Sequence, residues 1–349
     1  MIAREAYDAA TARIRLRFLH YRIDVETNSL RVARRLQQYF RPYLANDGSA
    51  PHVVLHARRQ RPEYDPSRMK VWQRPAHPDR APKESYYDAR GVRFILKNRT
   101  GILIKLHEHN AEIIGDVLRH SNQVVNLVGT LFGLSLVERG YVMLHASGVV
   151  RTGSDEATIF LGNSGSGKSS VALQLLERGG YDYLSNDRVL LRMDKGRAHI
   201  ICIPKKPRVN PGTLLASTSL SRLLSSRKRP LYDGMPREEL WAIEDKTDVD
   251  VARALGARER LDGELSRAYS LAWTPGGAGL ETVELDAESA VEAMKITAKD
   301  FGVFDRKLAE RTVERKRARI AASVDFARVT GKADPKALAR RIAREAVPA

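Results

Sequence analysis

Eight consecutive residues, Gly162-Asn163-Ser164-Gly165-Ser166-Gly167-Lys168-Ser169, set glycines, a lysine and a hydroxyl in the order G-x-x-x-x-G-K-S. That order can cradle phosphate. Glycines let successive backbone N–H groups turn inward on an anion, and a helix starting behind them adds the positive end of its dipole. In such a loop Lys168 reaches the β- and γ-phosphates of a nucleoside triphosphate, the Ser169 hydroxyl is a ligand for Mg²⁺, and Ser170 follows on the first helical turn. The flanks have the required character: an apolar run from Thr158 to Leu161 before the loop, and a helical pattern from Lys168 to Arg178 after it, closed by Gly179 and Gly180. A glycine turn in front of an ordinary helix would need neither the lysine nor the serine.

A phosphate loop works with a carboxylate that faces it, to hold a metal or to take a proton. Asp187, in Leu184-Ser185-Asn186-Asp187-Arg188, is best placed: Tyr183 and Leu184 make a short apolar approach to a strand end in the element after the loop helix. An aspartate there can also cap a turn. His145 follows Val142-Met143-Leu144; histidine on an apolar strand is commonly a hydrogen-bonded core group, and it is also a general base. The segment Pro204-Lys205-Lys206-Pro207-Arg208-Val209-Asn210-Pro211-Gly212 is stiff and basic. Lys205, Lys206, Arg208 and Asn210 are candidates to meet phosphate or an acidic substrate, against the alternative of a charged surface turn. Cys202 lies in the apolar run Ile200 to Ile203 and reads as a core thiol; a single cysteine permits neither an internal disulfide nor a thiolate metal cluster.

The elements that must position these residues read as alternating strands and helices. Strand patterns fit Tyr141 to Leu144, Gly148 to Val150, Ala157 to Leu161, Val189 to Met193 and His199 to Ile203, and a helix with apolar residues all round covers Val117 to Val137, ending at Gly140. Further toward the N-terminus, a strand at Ile14 to Phe18, a helix from Leu30 to Phe40, a strand at Val53 to Leu55 and a hairpin across Asn98-Arg99-Thr100 suggest a small mixed module. Residues 58–83 read as a basic loop. Past Asp245 the signals mix, with a strand near Glu281 to Leu285 and a helix from Glu288 to Ala298. Residues 311–349 are helix-compatible and hold 11 Lys and Arg against 4 acidic residues, a contact surface or simply a solvated face.

At 349 residues the chain has room for two domains, and no run of about 18 apolar residues exists to span a membrane. The first twenty residues have scattered arginines and no apolar stretch of a secretory signal, and the expected location is the cytoplasm. The net charge of +17 suits an anionic partner or a basic proteome, and nucleic-acid binding has no support beyond it. A second copy of the chain, in a homo-oligomer, is among the partners considered.

The string from Leu144 to about Asp187 resembles the catalytic domain of the HPr kinase/phosphorylase superfamily. That domain has a histidine-bearing strand, G-x-S-G-x-G-K-S, a helix ending in R-G and a paired acidic motif, which read here as His145, Gly162 to Ser169, Glu177-Arg178-Gly179 and Asn186-Asp187. With Ser185 to Arg188 and the Pro204 to Gly212 segment added, residues 115–305 are similar to the group called HprK-related kinase B. The resemblance implies an α/β fold, a P-loop domain akin to phosphoenolpyruvate carboxykinase rather than a Ras-like sheet, beside a smaller mixed α/β N-terminal module. It implies Mg-ATP as cosubstrate, His145 near the transferred phosphate, and Asp187 in metal or proton chemistry. One departure stands out: the bifunctional enzymes have two adjacent aspartates where this chain has Asn186 then Asp187, with one extra residue after the loop helix, and an asparagine cannot accept a proton.

These readings make residues 1–114 an N-terminal module with a basic loop, 115–310 a kinase domain and 311–349 a basic helical tail. The expected function is transfer of the γ-phosphoryl group of ATP to a hydroxyl of an unidentified protein, peptide or small-molecule acceptor, in the forward direction. A P-loop ATPase or nucleotide-dependent switch, and a non-catalytic nucleotide-binding module with a basic partner surface, are the alternatives.

Overall fold

Alternation of apolar and polar residues dictates the first elements. Ala12–Phe18 (β1) buries Ile14, Leu16 and Phe18 and exposes Arg13, Arg15 and Arg17, the period of a strand covered on one face. In the computed structural model, which describes residues 11–73, 81–236, 239–240, 243–274, 277–308 and 312–345, β1 pairs antiparallel with Tyr21–Thr27 (β2). Ser29 then caps the helix Leu30–Tyr39, its hydroxyl accepting from the Val32 N–H, and Val32, Ala33 and Leu36 face inward. Val53–Arg59 (β3), Lys70–Val71 (β4), Glu84–Ala89 (β5), Val92–Lys97 (β6), Ile102–Leu106 (β7) and Asn110–Gly115 (β8) complete a mixed sheet of order β1-β2-β3-β8-β7-β6-β5-β4. The hairpin β6–β7 turns over Asn98 to Thr100 as expected. The stretch expected as a basic loop, 58–83, instead begins inside β3 and includes β4, which is hydrogen-bonded to β5. Residues 74–80 of it lie outside the described residues, as do residues 1–10 of the stretch read for a secretory signal.

The chain divides into two compact units, Met1–Leu134 with Phe301–Glu310, and Ser135–Asp300 with Arg311–Ala349. The sequence reading put its boundaries at 115 and 310. The helix Ser121–Glu138 runs through the division near 134, and Gly140, at φ +88°, follows its end.

In the second unit Val142–Leu144 (β9), Ser147–Arg151 (β10), Glu156–Leu161 (β11), Tyr181–Ser185 (β12), Val189–Asp194 (β13) and Arg197–Cys202 (β14) are followed by the small ribbon Arg208–Val209 (β15) with Thr247–Asp248 (β16). Asp262–Leu271 (β17), Leu280–Glu284 (β18) and Asp325–Gly331 (β19) finish it. The main sheet runs β12-β10-β11-β17-β14-β13-β9, with β19 on β17 and β18 on β19. One edge of β17 pairs parallel with β11. Its other edge pairs first with β14, antiparallel, over Asp262 to Glu264, and then with β19, parallel, over Arg267 to Leu271. The sheet thus forks along β17, and the β17–β19 arm runs beside the end of β11. Val149, Phe160, Val171, Leu175, Tyr269, Val329 and Leu338 form the core between this arm, the helix Lys168–Arg178 and the helix Pro335–Glu345.

Residues 311–349 are therefore not helical throughout. Helices Glu314–Ala321 and Pro335–Glu345 flank β19, whose Phe326, Ala327 and Val329 are buried in the sheet. The reading from charge counted Arg328, which is exposed, and passed over the apolar residues around it. Residues 311 and 346–349 lie outside the described residues. Among the described residues no helix is long and apolar enough to cross a membrane.

Candidate functional site

The loop Gly162 to Ser169 joins β11 to the helix Lys168–Arg178, and glycine at 162 is dictated by space as well as by φ. At φ +139° a Cβ there would lie 2.7 Å from Ser166 Oγ and 2.8 Å from the Leu271 carbonyl oxygen, at the end of β17. The Ser166 N–H donates to the Asn163 carbonyl at 3.2 Å, closing the loop on itself. Lys168 is 5% exposed, and its ammonium donates to the carbonyls of Gly162 at 2.7 Å and Asn163 at 2.8 Å. Burial pushes that ammonium down to about 8; the charge of Asp187 works against the shift and that of Lys299 adds to it. Ser169 Oγ is 3.5 Å from Ser147 Oγ on β10, and Ser170 Oγ is 3.1 Å from Thr213 Oγ1. Gly165, at φ +82°, has open space where a Cβ would stand, and Asn163 and Ser164 complete the turn.

Asp187 lies just past β12. Its backbone N–H donates to Ser185 Oγ at 3.3 Å, a side chain buried against the Arg188 carbonyl, so the turn is shaped by Ser185. His145, just past β9, brings Nδ1 to 2.7 Å from the Asp187 carbonyl oxygen and 3.2 Å from its Oδ1. A carbonyl only accepts, so the proton is on Nδ1, and in the neutral ring the lone pair is then on Nε2. Lys205 Nζ donates to Asp187 Oδ2 at 3.0 Å, and Arg188 Nε is 4.0 Å from the same oxygen. Burial raises the Asp187 carboxyl, but the hydrogen bond from His145 and the charges of Lys205 and Arg188 outweigh it and hold the group well below the usual carboxylate range.

The remaining candidates spread out. Lys206 pairs with Asp250 at 2.9 Å and Arg208 with Asp248, its opposite residue across β15 and β16, at 2.9 Å. Asn210 precedes the short helix Pro211–Leu215, and its Oδ1 is buried with no hydrogen-bond partner among the described residues. The Asn186 amide donates to the Arg208 carbonyl at 3.4 Å. Cys202 is buried, donates to the Arg260 carbonyl at 3.4 Å, and burial pushes its thiol up, as befits a core residue.

Three neighbours of the loop were not read from the sequence. Lys299 acts on Lys168 through its charge, and the backbone holds its segment beside β9: His145 N–H donates to the Thr297 carbonyl at 2.7 Å and Lys299 N–H to that of Met143 at 3.1 Å. That pairing also ends the preceding helix at Ile296, two residues before the expected Ala298. Trp273 Nε1 donates to the Ser166 carbonyl at 2.7 Å. Pro335 Cγ stands 3.4 Å from where a Gly167 Cβ would be. Each belongs to a segment 100 residues or more from the loop along the chain, so no local motif marks it.

No protein-family model and no curated protein matches the sequence. Among solved structures the chain is similar to the HPr(Ser) kinase/phosphatase from Coxiella burnetii, with a TM-score of 0.29 and 11% identity over 58% of this chain and 95% of that one. A likeness that low carries no argument for function, which rests on the site itself.

Proposed function

We propose that the protein is an ATP-dependent kinase that holds Mg-ATP on the Gly162 to Ser169 loop and transfers the γ-phosphoryl group to a hydroxyl of a protein, peptide or small-molecule acceptor. The observation that supports this most directly is a buried lysine in a glycine-rich loop that feels the charge of an ionised aspartate, itself held by the Nδ1 of a histidine. Lys168 would leave the loop carbonyls for the phosphoryl oxygens, a fixed positive charge where negative charge builds up. The acceptor oxygen attacks the γ-phosphorus, the bond to the bridging oxygen breaks, and ADP carries away the electron pair. His145 Nε2 is the group we assign to take the hydroxyl proton, because the strongly depressed Asp187 is a weak base.

Ser169 Oγ and the Asp187 carboxylate are the residues we assign to Mg²⁺. Both are hard oxygen donors, and Mg²⁺ keeps several waters and phosphate oxygens, so one hydroxyl and one carboxylate fit it. When bound, the ion supplies charge neutralisation on the β- and γ-phosphoryl oxygens.

The test offers radiolabelled ATP and Mg²⁺ to a lysate of the native host with the purified protein, and with Lys168→Ala as control. Label transferred to a discrete acceptor only by the wild type is expected. Phosphate release without an acceptor would identify an ATPase or switch instead, and nucleotide binding without turnover a non-catalytic module.

A further inference from the structure

The nucleotide site proposed above depends on the direction in which one peptide plane of the loop faces. Between Ser166 and Gly167 the planar trans peptide sets the Ser166 carbonyl and the Gly167 N–H on opposite sides. Gly167 has φ +80° and no Cβ, so the residue itself offers little resistance to rotation of that plane. Its orientation has to be imposed from outside. The Ser166 carbonyl accepts a 2.7 Å hydrogen bond from Trp273 Nε1.

Trp273 is itself fixed. The residues on either side of it continue the parallel ladder beyond β17: Ala272 N–H donates to the Val329 carbonyl and Thr274 N–H to that of Gly331, each at 2.9 Å. Its ring is partly buried and packs on the core of the second unit. The Leu271 carbonyl, two residues earlier, lies against Gly162 at the other end of the loop. Pro335, after β19, closes over Gly167. The β17–β19 arm therefore braces the loop at both ends, and Trp273 is the side chain that reaches across.

We infer that Trp273 is a positioning residue for the phosphate loop: its indole N–H holds the Ser166 carbonyl outward and so keeps the Gly167 N–H turned to the side where phosphate binds. It acts through the loop and does not touch the reacting atoms. This rests on the reading of the loop as a nucleotide site, and it makes a distinct claim. The indole works through its donor, so the effect falls on the polyphosphate and not on the nucleoside.

Full-length wild type and Trp273→Phe are titrated by calorimetry with Mg-ADP, inorganic pyrophosphate and adenosine, and their thermal unfolding is compared. Phenylalanine keeps an aromatic ring and removes the donor. The expected result is a rise of about tenfold in Kd for both ADP and pyrophosphate, the scale of one lost hydrogen bond, with adenosine binding and Tm little changed. Wild-type affinity for pyrophosphate in Trp273→Phe overturns the inference, and so does a loss that falls on adenosine to the same degree, which would make the ring a platform for the base. If Trp273→Phe does not fold, exchange of the Trp273 indole proton in the wild type, read by NMR, decides: strong protection is expected, and exchange at the rate of a free indole overturns it. Wild-type protein that binds neither ADP nor pyrophosphate refutes the nucleotide site itself, a different outcome from either.

Discussion

The Nδ1 atom of His145 lies 2.7 Å from the backbone carbonyl of Asp187 and 3.2 Å from its carboxylate, so one nitrogen fixes both the peptide and the side chain of the same residue. The carboxylate is held on its other oxygen by Lys205. Two elements distant in sequence, β9 and the segment after β14, thereby converge on the turn after β12. The aspartate is ionised in consequence, and the histidine keeps Nε2 for other work.

Asp187→Asn should lower kcat/KM at least about a hundredfold and weaken the dependence on Mg²⁺, while Tm falls by only a few degrees. Asparagine has nearly the same shape and loses the charge that pairs with the cation. The side chain is about one-third exposed, so water replaces part of what the ion pair with Lys205 contributes. Activity measured against Mg²⁺ concentration, beside thermal melts, checks this. An unchanged Mg²⁺ profile would move the metal to another carboxylate. Glu177 is a poor substitute, since Ser217 Oγ and the Ser219 N–H both donate to it.

His145→Gln should shift acid unfolding to higher pH. A carboxylate with a depressed folded pKa contributes stability above its unfolded value and loses it as pH falls through the folded value. The hydrogen bond from His145 is the largest of the effects that lower Asp187, so without the imidazole the carboxylate contributes less stability above its unfolded value and that contribution is fully lost at a higher pH. Partial exposure keeps the difference at or below about 1 kcal/mol. Urea titrations between pH 3 and 6 would detect it, and superimposable curves for the two proteins would show that His145 does not set the aspartate's charge state.

Much of this site was legible in the sequence because its central part is local. Gly162 to Ser169 carries its chemistry in eight adjacent residues, and its helix begins at Lys168 and ends at Arg178 as the apolar spacing and Gly179 indicate. Asp187 was singled out from a strand end; Lys205 was singled out from a stiff basic turn as a contact for phosphate or an acidic substrate, whereas its ammonium donates to Asp187 Oδ2. What could not be read was long-range pairing. In β17 the buried Gly263, Leu265, Ala268, Tyr269 and Leu271 do not alternate cleanly, because the pairing with β11 skips one residue at Ser266, and its polar residues obscured the strand pattern. Trp273 and Lys299 reach the loop only through that pairing, and β19 was masked by the basic residues around it.

The reaction should run forward, with little phosphate-driven dephosphorylation of the product. The reverse path needs an acid to protonate the departing acceptor oxygen, and since His145 is the forward base, its protonated form is the one acid left to that path. Asn186 has no proton to give in this way, and its amide is engaged with the Arg208 carbonyl. Asp187 is held ionised. Phosphorylated acceptor incubated with inorganic phosphate and Mg²⁺, without nucleotide, should release little pyrophosphate. Release at a rate comparable to the forward reaction would require a protonated His145 to serve as the acid.

Lys168 should give the enzyme an alkaline limit. Its ammonium has an ordinary value of 10.5 and is lowered to about 8 by burial, so the free protein loses this positive charge as pH passes 8. Because kcat/KM reports the free enzyme, kcat/KM for ATP should fall above about pH 8. Bound polyphosphate adds negative charge and favours the ammonium, so the fall in kcat should lie at higher pH than the fall in kcat/KM. Stability moves the other way. Between about 8 and 10.5 the unfolded chain holds a proton at this position that the folded chain has released, so stability rises with pH across that window. Below 8 the cost of the buried charge is fully present. Lys168→Met removes the titrating group, so it should be more stable than the wild type near pH 7, with the difference shrinking toward pH 10, and it should lack activity throughout. Rate profiles from pH 6 to 10 and melts of both proteins over the same range measure the two effects. A kcat/KM that stays level to pH 9.5, together with a stability difference that does not change with pH, would mean that this lysine does not titrate in the window and that its burial does not govern ATP use.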